Sequence, residues 1–576
     1  MLSFLSCLVF ALWTGNSASQ SLTSYVNPIL PGWHSDPSCI YVEEWNQTYF
    51  CTTSSFLAFP GAPLYASKDL INWQLASNAY HREDQVPGML ESAAWEQEGL
   101  FANTLRVRDG VMHLITAYVR LSAPEPEFLL FSTTDPFDTA SWTGPVRIQN
   151  PAKTIDPDLF WDEDGTLYIS SSGIYIQSVN LTTGEVSQPV NVWNGTGGSS
   201  PEGPHIYKKD NWYYLLIAEG GTELNHAVTI ARSKDIYGPY ESNPNNPILT
   251  NRNTTEYFQT VGHADLFQDA EGNWWATALS TRSGPKWKSY PMGRETVLAP
   301  AVWEEGEWPV ISPIRGNMSG PLPPTNRDVP GSGAWVDQGD VVDFAPGSAI
   351  PSHFVHWRPP RSSDYEISSQ DGNPSLALTA SKTSLSISKY PNYVPTDGQT
   401  FIGRLQSHTT FNFSIDVTAS LTSLDQETGL TVFLTGNQHI DLGIVMLSQT
   451  NSSSTATPHV RLQTDNAGPP NVTVPAPNVI PVPESWKNGT IRLRVECPQG
   501  DTYLFSAIGD LGHGDKQNDQ EHSLELGEVS AEVVSGGSGP FTGVLLGAYA
   551  TTNGGNATFK SYISRWRYDP AGQKIE

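Results

Sequence analysis

Long apolar runs are missing from this 576-residue chain after its first twenty residues, and no later segment approaches a bilayer-spanning length. Basic residues are scarce. The 32 Lys and Arg stand against 59 Asp and Glu, a net charge of −27, which argues against nucleic acid and membrane as partners. The acidic excess also suits the solubility needs of a secreted protein, and the lone Lys286–Trp287–Lys288 cluster does not overturn it. Cysteine is sparse too: removal of a leader containing Cys7 leaves Cys39, Cys51 and Cys497. That odd number excludes a disulfide scaffold and gives no support to structural zinc. Cys39 and Cys51 fall on the two arms of a predicted hairpin, where they either pair or remain two buried thiols. Sustained helical periodicity is also absent, and nothing points to a redox cofactor or nucleotide.

What the chain has in abundance is turn and aromatic residues: 49 Gly, 44 Pro, 18 Trp and 11% aromatics overall. Short alternating runs bounded by Gly, Asn, Asp and Pro recur throughout, so the expected class is all-β. The length calls for two large domains. At the N-terminus, MLSFLSCLVFALWTGNSASQ carries an apolar stretch from Leu2 to Trp13 and small residues at Ser17–Ala18–Ser19. This predicts a signal peptide over 1–19 and a secreted, extracellular protein, the apolar run being too short for an anchor. Ten N-x-S/T triplets, at Asn46, Asn180, Asn194, Asn253, Asn317, Asn412, Asn451, Asn471, Asn488 and Asn556, fit a glycosylated product.

One phrase occurs five times between Asp36 and Ser280: a lead residue, a short strand, a turn and an aromatic-rich strand. The copies are HSDPSCIYVEEWNQTYFCTTSS, FANTLRVRDGVMHLITAYV, TIDPDLFWDEDGTLYISSSG, PEGPHIYKKDNWYYLLIAEGG and GHADLFQDAEGNWWATALS. Their lead positions read as Asp36, Ala102, Asp156, Glu202 and His263. The spacing predicts a five-bladed β-propeller over 24–315, in which equivalent positions of every blade face one channel. A Pro- and Gly-rich segment, 316–334, reads as a linker. From 335 to 576 alternating strands return without the repeat, which predicts a β-sandwich.

Carboxylates gathered around a channel are what glycoside hydrolysis requires. One donates a proton to the leaving oxygen while another, ionised, activates water or attacks directly. Asp36, Asp156 and Glu202 are the candidates, brought together by their place in the repeats. Pro37 and Pro157 favour extended backbone before them, and Gly203–Pro204 implies a sharp turn that aims Glu202 inward. Asp158, two residues beyond Asp156 and on the same strand face, is a rival. Asp164 in its DEDG turn reads as structural, and a lone His263 is ordinarily a hydrogen-bonded core residue.

The propeller closely resembles the family 43 glycoside hydrolases. The segments that carry the resemblance are NPILPGWHSDPSCI, SSFLAFPGAPLYASKDLINW, TIDPDLFWDEDGTLY, SPEGPHIYKKDNWYYLLIAEGGT, VGHADLFQDAEGNWW and MGRETVLAPAVWEEGEWPV, in the family's order. FIGRLQSHTTFNFSIDV and GLTVFLTGNQHIDLGIVML resemble the concanavalin-like sandwich of its β-xylosidase branch and fungal-type relatives. The resemblance implies an inverting mechanism, with Asp36 as general base, Glu202 as general acid, and Asp156 holding the acid's pKa and orientation. Inversion asks for roughly 6.5–9.5 Å between acid and base. Arg294 matches a sugar-binding arginine, and Phe56 and Phe101 match aromatic pocket positions. His263 matches a channel histidine that in some relatives helps hold a calcium ion or water. No cofactor is required, and a structural calcium in the channel is left open. Phe101–Ala102–Asn103 departs from a Trp-Ala-Pro common in relatives, which puts the shape of the pocket in question.

The expected activity is exo-release of α-L-arabinofuranosyl residues from arabinoxylan or its oligosaccharides, with a β-xylosidase on xylo-oligosaccharides as the alternative. A β-fructosidase lacks support because its Asn-Asp-Pro-Asn-Gly and Glu-Cys signatures are absent. A non-catalytic carbohydrate-binding protein would have no use for three channel carboxylates.

Overall fold

Alternating residues between Gly- and Asp-rich turns become strands almost everywhere. Among the described residues there is no α-helix, only short 3-10 turns. The structure is a computed structural model that describes residues 22–90, 97–120, 125–370, 372–386, 398–448, 456–466, 468–469, 471–487, 489–509 and 523–576. The expected leader and the triplets at Asn451 and Asn488 lie outside the described residues.

Five four-stranded antiparallel sheets succeed one another between Ser38 and Ile311. Their first strands are Ser38–Val42, Gly99–Arg108, Asp158–Trp161, Glu202–Lys209 and Phe258–Gln268. Each of these strands contacts the next, and the fifth contacts the first, so they close a ring around a central channel. The propeller arrangement is thereby built from the repeats. Apolar side chains fill the spaces between neighbouring sheets, as Ile115, Leu130, Leu159 and Ile169 do between the second and third. Cys39 and Cys51 face each other across the first hairpin and form a disulfide, while Cys497 is a buried free thiol.

The segment expected to be a structureless linker is more ordered than its composition suggests. Asn317–Gly320 pairs antiparallel with Thr23–Val26, tying the start of the chain to the end of the propeller. Further on, Leu75 N donates to Ala334 O and Val336 N to Trp73 O. The outer strand Trp73–Tyr80 thus receives a partner along an edge that would otherwise be open. Proline and glycine remove periodicity without preventing extended backbone from docking, so composition alone hides this role.

The second half is a β-sandwich. One sheet is ordered Tyr365–Gln370, Asn373–Thr379, Lys560–Gly572, Thr410–Ala419, Ile491–Cys497, Thr502–Ile508, Ser523–Ser530, with Asp340–Val342 also on Lys560–Gly572. The other is ordered Phe401–Leu405, Leu545–Thr551, Glu427–Thr435, Gln438–Ser448, Ala456–Asn466, Asn478–Pro481. Side chains such as Phe413, Ile415, Leu430, Val432 and Trp566 pack between them. The opposite face of the second sheet lies against the propeller. There Phe401, Phe433, Leu545 and Tyr549 join Trp33, Phe56 and Trp357 in one apolar cluster. Ring centroids run 5.9 Å from Trp33 to Phe56, 5.8 Å from Trp33 to Trp357 and 5.6 Å from Trp357 to Phe433. His356–Trp357 adds a backbone bridge by pairing with Ala58–Phe59.

Candidate active site

Five residues at the head of the inner strands share an unusual backbone. Asp36 (φ 53°), Ala102 (φ 34°), Asp156 (φ 57°), Gly203 (φ 55°) and His263 (φ 49°) all lie in the left-handed region, so Asp36 and Asp156 do not take the extended conformation expected of residues before Pro37 and Pro157. Three of these sit in β-bulges, where the ladder skips between Phe101 and Thr104, Glu202 and His205, and Gly262 and Asp265. The bulges set the register: Gly203, not Glu202, is the equivalent of Asp36, and Glu202 is equivalent to Phe101. The alignment expected from sequence is therefore off by one in the fourth repeat. An extra residue in a bulge bends the strand and re-aims its side chains, so two consecutive positions can face the channel. Glu202 uses the first, and glycine fills the second. A Cβ on Gly203 would meet His263 Nε2 at 3.0 Å.

Asp36, Asp156, Glu202, His263, Arg294, Phe56 and Phe101 all line one cavity, of about 780 Å³ up to its open mouth. Ser54 Oγ donates to Asp36 Oδ2 at 2.6 Å and accepts from Ala102 N at 2.7 Å, which locks the first sheet's carboxylate to the second sheet. Arg294 clasps Asp36 with Nη1 and Nη2 at 3.2 and 3.4 Å. It also donates to Thr222 Oγ1 at 3.0 Å. His263 Nδ1 lies 3.7 Å from Asp36 Oδ1. Asp156 Oδ2 accepts from Gly203 N at 3.0 Å, so the third carboxylate holds the backbone immediately after Glu202.

These surroundings push the carboxyls apart. Burial acts to raise Asp36, but the Arg294 and His263 charges and the Ser54 hydrogen bond outweigh it and hold the group below the ordinary aspartate range. Burial raises Asp156, and the nearby Asp36 charge adds to the effect. Glu202 is pushed up to about 8, by burial first and then by Asp156 and Asp36. Two carboxyls separated in this way present an ionised oxygen and a protonated donor to one cavity at neutral pH.

Asp158, the rival to Asp156, belongs to a second ring beneath the cavity. It accepts from Arg106 Nη2 at 2.6 Å and contacts His205 Nδ1 at 2.9 Å. Arg106 Nη1 reaches Asp265 Oδ2 at 3.1 Å, and Ser38 Oγ and Tyr207 OH also donate to Asp265. The channel calcium left open by the sequence was expected at His263, in the cavity, and this lower ring offers no alternative place for it. Calcium takes about six to eight oxygen ligands, whereas here a guanidinium already supplies the positive charge between the two carboxylates. Among the described residues, no group of three or more His, Cys, Asp or Glu is placed to hold a metal ion.

The sandwich also reaches the cavity. Phe541 lines it, its ring 6.1 Å from Phe56 and 6.4 Å from Phe101. The Arg294 guanidinium sits 5.0 Å from the Phe541 centroid and donates to Phe541 O at 3.3 Å. A separate, largely apolar cleft between the first sheet and the sandwich, bordered by Trp33, Pro60, Trp335 and Leu405, contains none of the three channel carboxylates.

Over 95% of its length this chain is 31% identical to a Bacteroides ovatus non-reducing end α-L-arabinofuranosidase, BoGH43B, again over 95% of that protein. The chain belongs to the family 43 glycoside hydrolases. Glycosyl hydrolases family 43 matches residues 25–309, and the β-xylosidase C-terminal concanavalin A-like domain matches 341–569. A xylosidase/arabinosidase of Butyrivibrio fibrisolvens is 35% identical over 51% of this chain and 57% of its own. Among solved structures, Bacteroides ovatus xyloglucan PUL GH43B superposes with TM-score 0.77 at 29% identity, covering 95% of this chain and 99% of that one. The Bacillus licheniformis GH43 BlXynB protein gives TM-score 0.78 at 23% identity, over 95% and 100% of the two chains. This glycoside hydrolase thus carries its carboxyl cluster in a family propeller. Sequence reasoning missed Thr222, Glu223 and Phe541, which line its cavity, and Ser54, which holds Asp36. Only Phe541 left a trace, as a single aromatic in the Gly- and Ser-rich stretch SGGSGPFTG.

Proposed function

We propose that this family 43 enzyme is a secreted, inverting exo-hydrolase that releases α-L-arabinofuranosyl residues from arabinoxylan or its oligosaccharides. The observation that carries the chemistry is the placement of Asp36, clasped by Arg294, and Glu202, beside Asp156, in one cavity, which favours an ionised Asp36 and a protonated Glu202. In this reading Asp36 takes a proton from water as the water oxygen bonds to the anomeric carbon. Glu202 gives its proton to the glycosidic oxygen as the old C–O bond breaks. Asp156 keeps Glu202 protonated and anchors the backbone behind it, and Arg294 both depresses Asp36 and is placed to hold sugar hydroxyls. His263 and the Phe56, Phe101 and Phe541 rings shape the pocket. No step is routed through calcium.

The arabinose assignment draws support from the full-length likeness to the Bacteroides ovatus enzyme. A β-xylosidase is the second reading, favoured by the type of C-terminal domain and by relatives named for both activities. We read the five sheets as five blades, the catalytic domain as 24–315 and the sandwich domain as 335–576. Secretion rests on the leader, and glycosylation on the eight described triplet asparagines, all of which are exposed. Chromatography of the sugars released from arabinoxylan and from linear xylo-oligosaccharides tests the assignment. Arabinose with intact xylo-oligosaccharides supports it, xylose from the oligosaccharides moves the reading to β-xylosidase, and neither sugar rejects both.

A further inference from the structure

The Lys286–Trp287–Lys288 cluster plays no part in the site described so far. It sits in the loop that leaves Trp274–Arg282 and leads directly into Arg294. Trp287 adopts φ 47°, a strained conformation for a bulky residue and one that commonly marks a functional position. Its indole Nε1 has no hydrogen-bond partner among the described residues, so no such bond there offsets the strain. What the conformation achieves is a face-to-face stack on Tyr290, with centroids 5.1 Å apart and planes 4° from parallel.

Tyr290 ties this stack to the pocket mouth. Its phenol is held well above the ordinary tyrosine range, by burial first and then by Glu223, an exposed residue that borders the cavity next to Thr222. Its amide donates to Ser535 Oγ, and its hydroxyl lies where a Cβ on Gly536 would be, at 2.5 Å. Residues 535 and 536 begin the same sandwich loop that delivers Phe541 to the cavity. The half-buried Trp287, flanked by Lys286 and Lys288, therefore stacks on a residue that contacts the start of the loop carrying Phe541 to the cavity. Both lysines are exposed, and neither is ion-paired with a described residue. On a chain of net charge −27, two unpaired ammonium groups beside an aromatic stack form a local site for a single negative charge. They are too few to hold a polyanion against the rest of the surface.

We propose that this loop is an outer subsite on the leaving-group side of the pocket for a glycan carrying a uronic acid, with a sugar ring over Trp287 and the carboxylate between Lys286 and Lys288. The inference rests on the glycosidase reading for the direction of the chain. Its test uses binding, so that failure of the activity and failure of the subsite remain distinct. Glu202→Gln protein is titrated with a xylo-oligosaccharide bearing one uronic acid and with its carboxyl-reduced twin. At low salt the acidic ligand should bind about three- to tenfold tighter, the range expected of two exposed charge pairs. High salt should erase the preference. Lys286→Gln/Lys288→Gln should bring the two ligands to the same affinity, and Trp287→Ala should weaken both. Equal or weaker binding of the acidic ligand, no binding of it at all, or a preference that survives the double lysine substitution would overturn the proposal.

Discussion

At the scale of the residue, the site's chemistry comes from unequal treatment of similar groups. Asp36 and Glu202 are both carboxyls in one cavity, yet Arg294 clasps the first while the second has the acidic neighbours Asp156, Asp36 and Glu223. In the proposed mechanism, replacing Glu202 by Gln removes the proton donor and leaves the shape. We expect turnover of oligosaccharides to fall about 10²–10⁴-fold, the usual contribution of general acid catalysis, with unchanged circular dichroism. Aryl glycosides with good leaving groups should suffer less, because they need less protonation. The pH profile follows from the same two groups. Glu202 must be protonated, so kcat/KM should decline as pH rises through about 8. Asp36 must be ionised, and its depressed pKa keeps it so until the pH falls below the ordinary aspartate range. A profile whose basic limb begins near the ordinary glutamate value would contradict the arrangement.

At the scale of the element, the bulges do the positioning. A regular strand shows alternate residues to opposite faces, which would prevent Glu202 and the next residue from both facing the channel. The bulge relaxes that rule, and glycine at 203 makes room for His263. Gly203→Ala places a Cβ against the His263 ring at a positive φ. We expect a loss of about 1–3 kcal/mol in stability and a larger proportional loss of activity than of fold, measured by denaturant titration beside hydrolysis assays. The Asp156 hydrogen bond to Gly203 N makes the acid's orientation part of the same local structure.

At the scale of the whole molecule, the sandwich contributes a wall to the cavity that holds the three carboxyls. Phe541 contributes one aromatic contact there, so Phe541→Ala should lower kcat/KM about two- to tenfold, the worth of a single aromatic interaction. Ending the chain after residue 334 is a harsher change. It would bare Trp33 and Phe56, which now pack with Phe401, Phe433 and Tyr549. We expect that product to self-associate on size-exclusion chromatography and to lack hydrolytic activity. A soluble, active propeller would show that the sandwich is an accessory.

Much of this protein was legible in its sequence. Period-two alternation between turn residues specified strands, and repetition of one phrase specified sheets around a common axis. Asp36 and Asp156 at the repeat heads, with Glu202 one position before its own, marked the site because equivalent positions of a closed ring become neighbours. Three-dimensional packing decided the rest. Asp158 and Asp156 look alike on a strand, and only the position of Arg106 and His205 assigns Asp158 to the lower ring. The one-residue offset at Glu202 is invisible without the ladder that reveals a bulge. Pairing of Cys39 with Cys51 required their register across the hairpin. Phe541 reaches the cavity from a domain that shares no repeat with it, because the shapes of two folded surfaces, rather than any local pattern, bring that loop to the channel mouth.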